Sequence, residues 1–338
     1  LYGKEHNWGL LLNKAFGLCR SYFGNLDRSI DVADISTVSV SERFAVDPLL
    51  PMGGTTVFFG DGGASKTMIL DALALEFATR GKFLGLQCPG QPVLFVDWED
   101  TADTFAWRIR RLGGLAELIV ERGNLRYWPA RGLPLAQQVD AIKAMVQKHG
   151  IGLIILDSLA LACGGPPEES VVANATFNAI RRIGVTCAAI AHITKAGQED
   201  KPFGSAFWHN SARRTWLIKK KTEDEDTDTL DVVLICKKVN NGRKPKPIPI
   251  RITFQDPDGP ISLAAGTLEV SSDLGKAALT LNGRIKQALL RQPMDRKAIA
   301  ELLDENEDSI RKTMNRHKDV YIAVGSKWAV KHHELPSN

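Results

Sequence analysis

The sequence is short of the features that would take it out of the ordinary globular class. No apolar run reaches the roughly 18 residues that a membrane-spanning helix needs, so no membrane association is expected. No signal peptide is visible at the start, and a chain that opens on Leu1 reads as clipped at its N-terminus. Cysteine is sparse: five residues (Cys19, Cys88, Cys163, Cys187 and Cys236) are scattered over 338 positions without a Cys-x-x-Cys pair. An odd number without a framework excludes a disulfide-built fold and fits a reducing cytoplasm, the expected location. A strong charge of one sign is also missing. The net charge is +4 and the pI about 8.7, a balance that permits a nucleic-acid partner without requiring one.

What is present is concentrated in one stretch, Thr55 to Met68, reading TTVFFGDGGASKTM. A short apolar run stops at Gly60, glycines follow at 62 and 63, and Lys66-Thr67 opens an alanine-rich helical segment. Strand, glycine loop, Lys-Thr and helix in that order is the context of a phosphate-binding P-loop. Glycines let backbone N–H groups turn inward on a phosphate, and the helix N-terminus adds free donors. The nucleotide-binding residues are then Gly60, Asp61, Gly62, Gly63, Ala64, Ser65, Lys66, Thr67 and Met68. ATP and Mg²⁺ are the expected cofactors, with Lys66 on the β and γ phosphates and the Thr67 hydroxyl on the metal. Ser65 stands where the usual pattern has its second glycine; a serine fits that turn if its φ is negative.

Around this loop the pattern predicts an α/β fold. Strands are expected at Thr55–Phe59, Val93–Asp97, Asn124–Trp128, Gly152–Leu156 and Val185–Ala191. Helices are expected at Lys66–Arg80, Ala102–Leu112 (with a basic face of Arg108, Arg110 and Arg111), Leu135–His149 and Val171–Ile183. Continuous apolar strands alternating with helices indicate a mostly parallel sheet covered on both faces. Three later strands, Ser211–Lys220, Leu230–Val239 and Ile248–Phe254, read as antiparallel additions. Residues 1–44 read as an N-terminal arm and linker, with a short helix within Gly9–Phe23, and 256–275 as a second linker. From 276 to 338, three short helices and a hairpin form the pattern of a winged helix-turn-helix. With 12 basic and 8 acidic residues, that module suits either DNA contact or docking of a replication or repair partner.

Candidate chemistry sits at strand ends. Asp157 closes a buried strand beside the P-loop, where a carboxylate serves Mg²⁺. The next residue is Ser158 rather than a glutamate, so the water-activating base must come from elsewhere. Glu99, just past the strand Val93–Asp97, fills that role, with Asp97 and Asp100 as competitors and Asp100 read mainly as solvated or helix-capping. His192 ends another strand and suits contact with the γ-phosphate or its water; the alternative is a satisfied core-edge histidine. No second His or Cys lies at zinc-ligand spacing from it. Arg213 and Arg214 follow an irregular loop and suit phosphate charge on a neighbouring subunit. The segment 237–251 carries Lys237, Lys238, Arg243, Lys244, Lys246 and Arg251 with no acidic residue, which suits either a neighbour's nucleotide or DNA. Lys195, Lys201, Phe203, Phe207 and Trp208 mix bases with aromatics, a composition that serves single-stranded nucleic acid or simply anchors a loop.

The set Gly60–Thr67, Val93–Asp100, Leu153–Ser158, Ala191–Lys195 and Gly204–Arg213 resembles the RecA-like P-loop ATPases, most closely the RepA-like hexameric replicative helicases of plasmids and phages. The likeness covers about residues 45–255. It implies a RecA-like core, Glu99 as catalytic base and His192 as phosphate sensor. It also implies Arg213, with Arg214 as rival, as an arginine finger assisted by Lys237 or Lys238. A ring-shaped homohexamer translocating on single-stranded DNA is the main functional expectation. The alternatives are a filament-forming RecA-like recombination or repair ATPase, and a nucleotide-switched DNA- or protein-binding regulator.

Overall fold

The computed structural model describes residues 43–113, 123–193, 202, 204, 206–221, 228–255 and 258–331. The helix expected within Gly9–Phe23 lies outside them, as do Lys195, Lys201 and Phe203. In chain order the first elements are β1 (Phe44–Val46), β2 (Leu50–Pro51), β3 (Thr55–Gly60), α1 (Lys66–Thr79), β4 (Lys82–Phe83), β5 (Leu86–Gln87), β6 (Val93–Asp97), α2 (Ala102–Arg111) and β7 (Leu125–Pro129). Then come α3 (Leu135–His149), β8 (Leu153–Asp157), α4 (Leu159–Ala162), α5 (Ser170–Ile183), β9 (Thr186–His192), α6 (Ala206–Ser211), β10 (Arg214–Lys220), β11 (Thr229–Val239), β12 (Ile248–Phe254) and β13 (Ile261–Ala265). The chain closes with α7 (Asp273–Ala278), α8 (Leu281–Arg291), α9 (Arg296–Leu303), α10 (Glu307–Arg316), β14 (Tyr321–Val324) and β15 (Lys327–Val330).

A nine-stranded sheet runs in the order β13-β12-β11-β10-β3-β9-β8-β6-β7. The strands from β10 to β7 are parallel to one another, and β11, β12 and β13 continue antiparallel. Both faces are covered, which explains the unbroken apolar runs. On one face Phe58 and Phe95 pack with Ile69, Leu73 and Phe77 of α1 and with Phe105 and Ile109 of α2. On the other, Val57, Phe59 and Leu156 pack with Val139 and Ile142 of α3 and Phe177 and Ile180 of α5. Each such side chain contributes about 1.5–3 kcal/mol when fully buried.

Three expectations need correction. The strand expected at Ser211–Lys220 is not an antiparallel addition, because β10 pairs parallel with β3 from Arg214↔Thr56 to Leu217↔Phe59. The connection from β9 to β10 is long enough for the crossover a parallel pair needs. The irregular loop expected before Arg213 contains α6, a helix too short to hold itself together. Tertiary contacts hold it: Trp208 is buried, donates its Nε1–H to Pro167 O at 2.7 Å and lies 5.8 Å from the Phe177 ring. The segment 256–275 is also not a bare linker. It supplies β13, whose Ile261 joins the main core, and Leu274 of α7 packs into the opposite-face cluster.

Residues α8 to β15 gather around their own apolar cluster, including Ile285, Leu289, Ile299, Leu303, Ile310, Met314 and Tyr321. Side-chain caps start three of its helices: Thr280 on Gly283 N, Asp295 on Ala298 N and Asn306 on Asp308 N. The buried Arg284 donates to Val270 O (2.9 Å), to Glu305 Oε1 (2.7 Å) and to Leu303 O, tying α8 to the entering chain and to the α9–α10 turn.

Candidate nucleotide site

The sheet order brings the ends of β3, β9, β8 and β6 side by side. Their carboxyl ends carry Gly60, His192, Asp157 and Asp97 respectively, so residues 132 positions apart share one edge. Gly60 is required by space. A Cβ there would stand 2.3 Å from Ile218 O of β10. Gly63 turns the loop with φ +73°, and Ser65 follows with φ +53°. A negative φ for this serine, the condition stated above, is therefore not met. Ser65 occupies the left-handed region at a cost of about 1–2 kcal/mol, and its side chain does not cap α1.

Lys66 lies 6 % exposed at the head of α1, and its Nζ donates to Gly60 O (3.0 Å) and Asp61 O (2.7 Å). Burial lowers its pKa, while the carboxylates of Asp157, Glu99 and Asp61 oppose that shift. Thr67 Oγ1 donates to Asp157 Oδ2 at 2.8 Å. Burial pushes the Asp157 carboxyl up to about 7; the Thr67 hydrogen bond pulls it down, and the nearby carboxylates of Glu99, Asp97 and Asp71 push it further up. This surplus of negative charge, with two hard oxygens in contact, fits a divalent cation. Mg²⁺ characteristically takes one or two protein oxygens and completes its shell with phosphates and water. No group of three or more His, Cys, Asp or Glu side chains forms a metal site among the described residues; Thr67 and Asp157 are residues that could hold Mg²⁺ together with nucleotide.

Glu99 stands across from this pair with its side chain 38 % exposed. Ser158 Oγ donates to Glu99 Oε1 at 2.5 Å, and His192 Nε2 lies 3.7 Å from the same oxygen. The contact with His192 holds the Glu99 carboxyl below the usual range; burial opposes it, and Ser158 and Lys66 assist. Asp97, one of the two competitors, is fully buried and its Oδ1 accepts the backbone N–H groups of Glu99 (2.8 Å) and Asp100 (2.9 Å). It shapes the loop that presents Glu99. Asp100 is not a helix cap: Thr101 caps α2, and Asp100 pairs with Arg108. Ser158 had no role in the sequence reading, because its contact depends on β6 and β8 being neighbours. Lys220 was also passed over; it ends β10, and its Nζ comes within 3.5 Å of where a Gly63 Cβ would stand.

The remaining expected site residues lie at the other end of the sheet. Arg213 donates its backbone N–H to Thr55 O (2.8 Å), and its exposed side chain lines a cavity of about 240 Å³ with Arg181, Ser211 and Asn240. Arg214 is buried, donates to Pro48 O and stacks 4.9 Å over the Phe44 ring. Lys237 falls at a register shift of β11, where Lys238 faces Thr215 and Cys236 faces Trp216. Lys238 Nζ donates to the carbonyls of His209 (3.1 Å), Asn210 (2.5 Å) and Ala212 (2.6 Å), fixing the turn before Arg213. Lys66, Thr67, Asp157, Glu99 and His192 thus converge, whereas Arg213, Arg214 and Lys237 stand apart from them.

The profile of a family described as AAA domain matches residues 27–198. The fold is similar to the crystal structure of a KaiC-like protein from the hyperthermophilic archaeon Pyrococcus horikoshii OT3, with a TM-score of 0.51 and 16 % identity over 68 % of this chain and 100 % of that one. No curated protein matches the sequence. Neither likeness distinguishes a helicase from other ATPases with a RecA-like core.

Proposed function

The chain belongs to the AAA domain family and is a P-loop ATPase with a RecA-like core; from that premise we propose that it hydrolyses ATP with Glu99 as base and uses the cycle to switch its grip on DNA or a protein partner. The observation that carries the chemistry is the pairing of Thr67 with Asp157 beside Lys66, with Glu99 held by Ser158 and His192 on the adjoining strand ends. When bound, Mg²⁺ would supply charge neutralisation at the phosphates. Lys66 binds and orients the β and γ phosphates. Glu99, kept ionised, accepts a proton from the attacking water, and His192 beside it would sense the γ-phosphate. Residues 276–338, read as a winged helix-turn-helix, would be the partner-facing module. This supports a regulator or a recombination or repair ATPase as the first reading.

A ring-forming helicase or translocase on single-stranded DNA is the second reading. It is favoured by Arg213, which the fold holds at the edge opposite its own P-loop, as a finger for a neighbouring subunit's nucleotide would be. The test is ATP hydrolysis with and without single-stranded DNA, with assembly state followed by light scattering. Slow turnover that a duplex or protein partner modulates supports the switch. Strong stimulation by single strands in a closed oligomer, followed by strand displacement, supports the helicase. Stimulation with open-ended assemblies supports the recombinase. Loss of turnover in E99Q with ATP binding retained is required by every version.

A further inference from the structure

The P-loop helix and the Glu99 loop are joined by one side chain that stands outside the P-loop and the strand-end residues described above. Arg108 lies on α2, pointing into the gap between α1 and the β6 end, with its side chain only 8 % exposed. Its Nε donates to Asp71 Oδ2 at 2.5 Å and its Nη1 to Asp100 Oδ2 at 2.5 Å. Asp71 is fully buried, one helical turn beyond Thr67 on α1. Asp100 follows Glu99 directly, and its backbone is fixed by Asp97 Oδ1 and by Tyr127 Oη, which donates to Asp100 O at 3.0 Å. The planar guanidinium therefore grips the element that carries Lys66 and Thr67 with one nitrogen and the loop that carries Glu99 with another.

We infer that Arg108 is a positioning residue for hydrolysis, setting the distance between the Glu99 carboxylate and the phosphate-binding end of α1. The inference rests on the reading of Glu99 as base. Stability alone gives little reason for such an arrangement. A buried ion pair in a core such as that of Phe105 and Ile109 is often no more stable than well-packed apolar residues, whereas a rigid fork with two fixed acceptors specifies geometry. A misplacement of about 1 Å at a reacting group costs up to about a hundredfold in rate.

The variants are R108K, which keeps the charge but loses the fork, and D100N, which leaves the Asp71–Arg108 pair intact and alters the half-exposed end of the bridge. Both are compared with E99Q and with the doubles R108K/E99Q and D100N/E99Q, on the full chain, by single-turnover hydrolysis and by binding of a fluorescent ATP analogue. The expected result is a kcat about ten- to a hundredfold lower in R108K, a smaller drop in D100N, and analogue affinity within about threefold of wild type. In the E99Q background neither change lowers the rate further, because both act through the same carboxylate. Rates that fall in step with analogue affinity, or effects that multiply with E99Q, would overturn the inference. If R108K does not fold, D100N and its double decide alone by the same criteria. A wild-type rate in E99Q would instead overturn the assignment of the base.

Discussion

Ser158 donates its hydroxyl hydrogen to Glu99 Oε1 across 2.5 Å, from the position immediately after the Asp157 carboxylate. Two strand ends are thereby tied at the point where a proton has to be accepted. S158A is expected to lower kcat by about five- to tenfold, the rate equivalent of one hydrogen bond worth about 1–1.4 kcal/mol, with ATP affinity unchanged. Steady-state kinetics beside equilibrium binding checks this; a weaker ATP affinity with unaltered kcat would contradict it.

His192 has a consequence readable in pH. Its contact is the largest influence holding the Glu99 carboxyl below the ordinary glutamate value. A base must be ionised to work, so this contact carries activity to lower pH. In H192A the opposing effect of burial is left with only Ser158 and Lys66 against it, the Glu99 pKa rises, and the acid limb of the pH–rate profile moves to higher pH. The same sign governs stability. A carboxyl depressed on folding stabilises the protein above its unfolded pKa of about 4.3, and that contribution is lost as pH falls through the lower folded value. An acid limb unmoved in H192A would rule this out.

Asp157 and Thr67 bear on metal. D157N removes a carboxylate charge but keeps an oxygen of similar size beside Thr67 Oγ1. Nucleotide binding in EDTA is expected to stay within about threefold of wild type, while the enhancement produced by Mg²⁺ falls by about tenfold or more. Titration of a fluorescent ATP analogue with Mg²⁺ or EDTA reads both quantities. An undiminished Mg²⁺ effect would place the cation on other groups.

Ser65 is a position where the protein is open to improvement. Its φ of +53° is left-handed, and glycine adopts that conformation without a Cβ penalty. Part of the gain returns as extra freedom of the unfolded chain, so S65G is expected to stabilise by about 0.5–1 kcal/mol. Denaturant or thermal unfolding measures it. A lower midpoint would mean that the serine side chain makes up for its backbone.

The local features were the legible ones. The glycine spacing of the P-loop, the apolar runs of β6 and β8 and the helix Leu135–His149 are each encoded within about 15 consecutive residues, and the structure has them within a residue or two. Strand ends carrying Asp157, Glu99 and His192 could be picked out because each run stops at a polar residue. Pairings across the sheet were not legible. Ser158 gains its partner only through the β8–β6 order, Arg108 read as part of a basic helix face, and Asp71 was hidden inside an alanine-rich helix. β13 was masked by its Pro/Gly surroundings, since a strand at the sheet border needs little pattern of its own. The direction of β10 depends on where a long connection lands, which residue type does not specify.

The parallel registration of β10 on β3 acts as a fixed ruler. Five residue steps separate Thr55, which anchors the Arg213 amide, from Gly60 at the mouth of the loop, a span of about 16 Å at the rise of a strand. No guanidinium at that border can touch a phosphate gripped by the same chain. If Arg213 reaches a neighbour's nucleotide, as proposed, the chain has unlike ends at a constant separation, as a magnet has. Copies that join pole to pole must repeat in one direction, closing into a circle if the turn between them allows it and running on as a fibre if it does not.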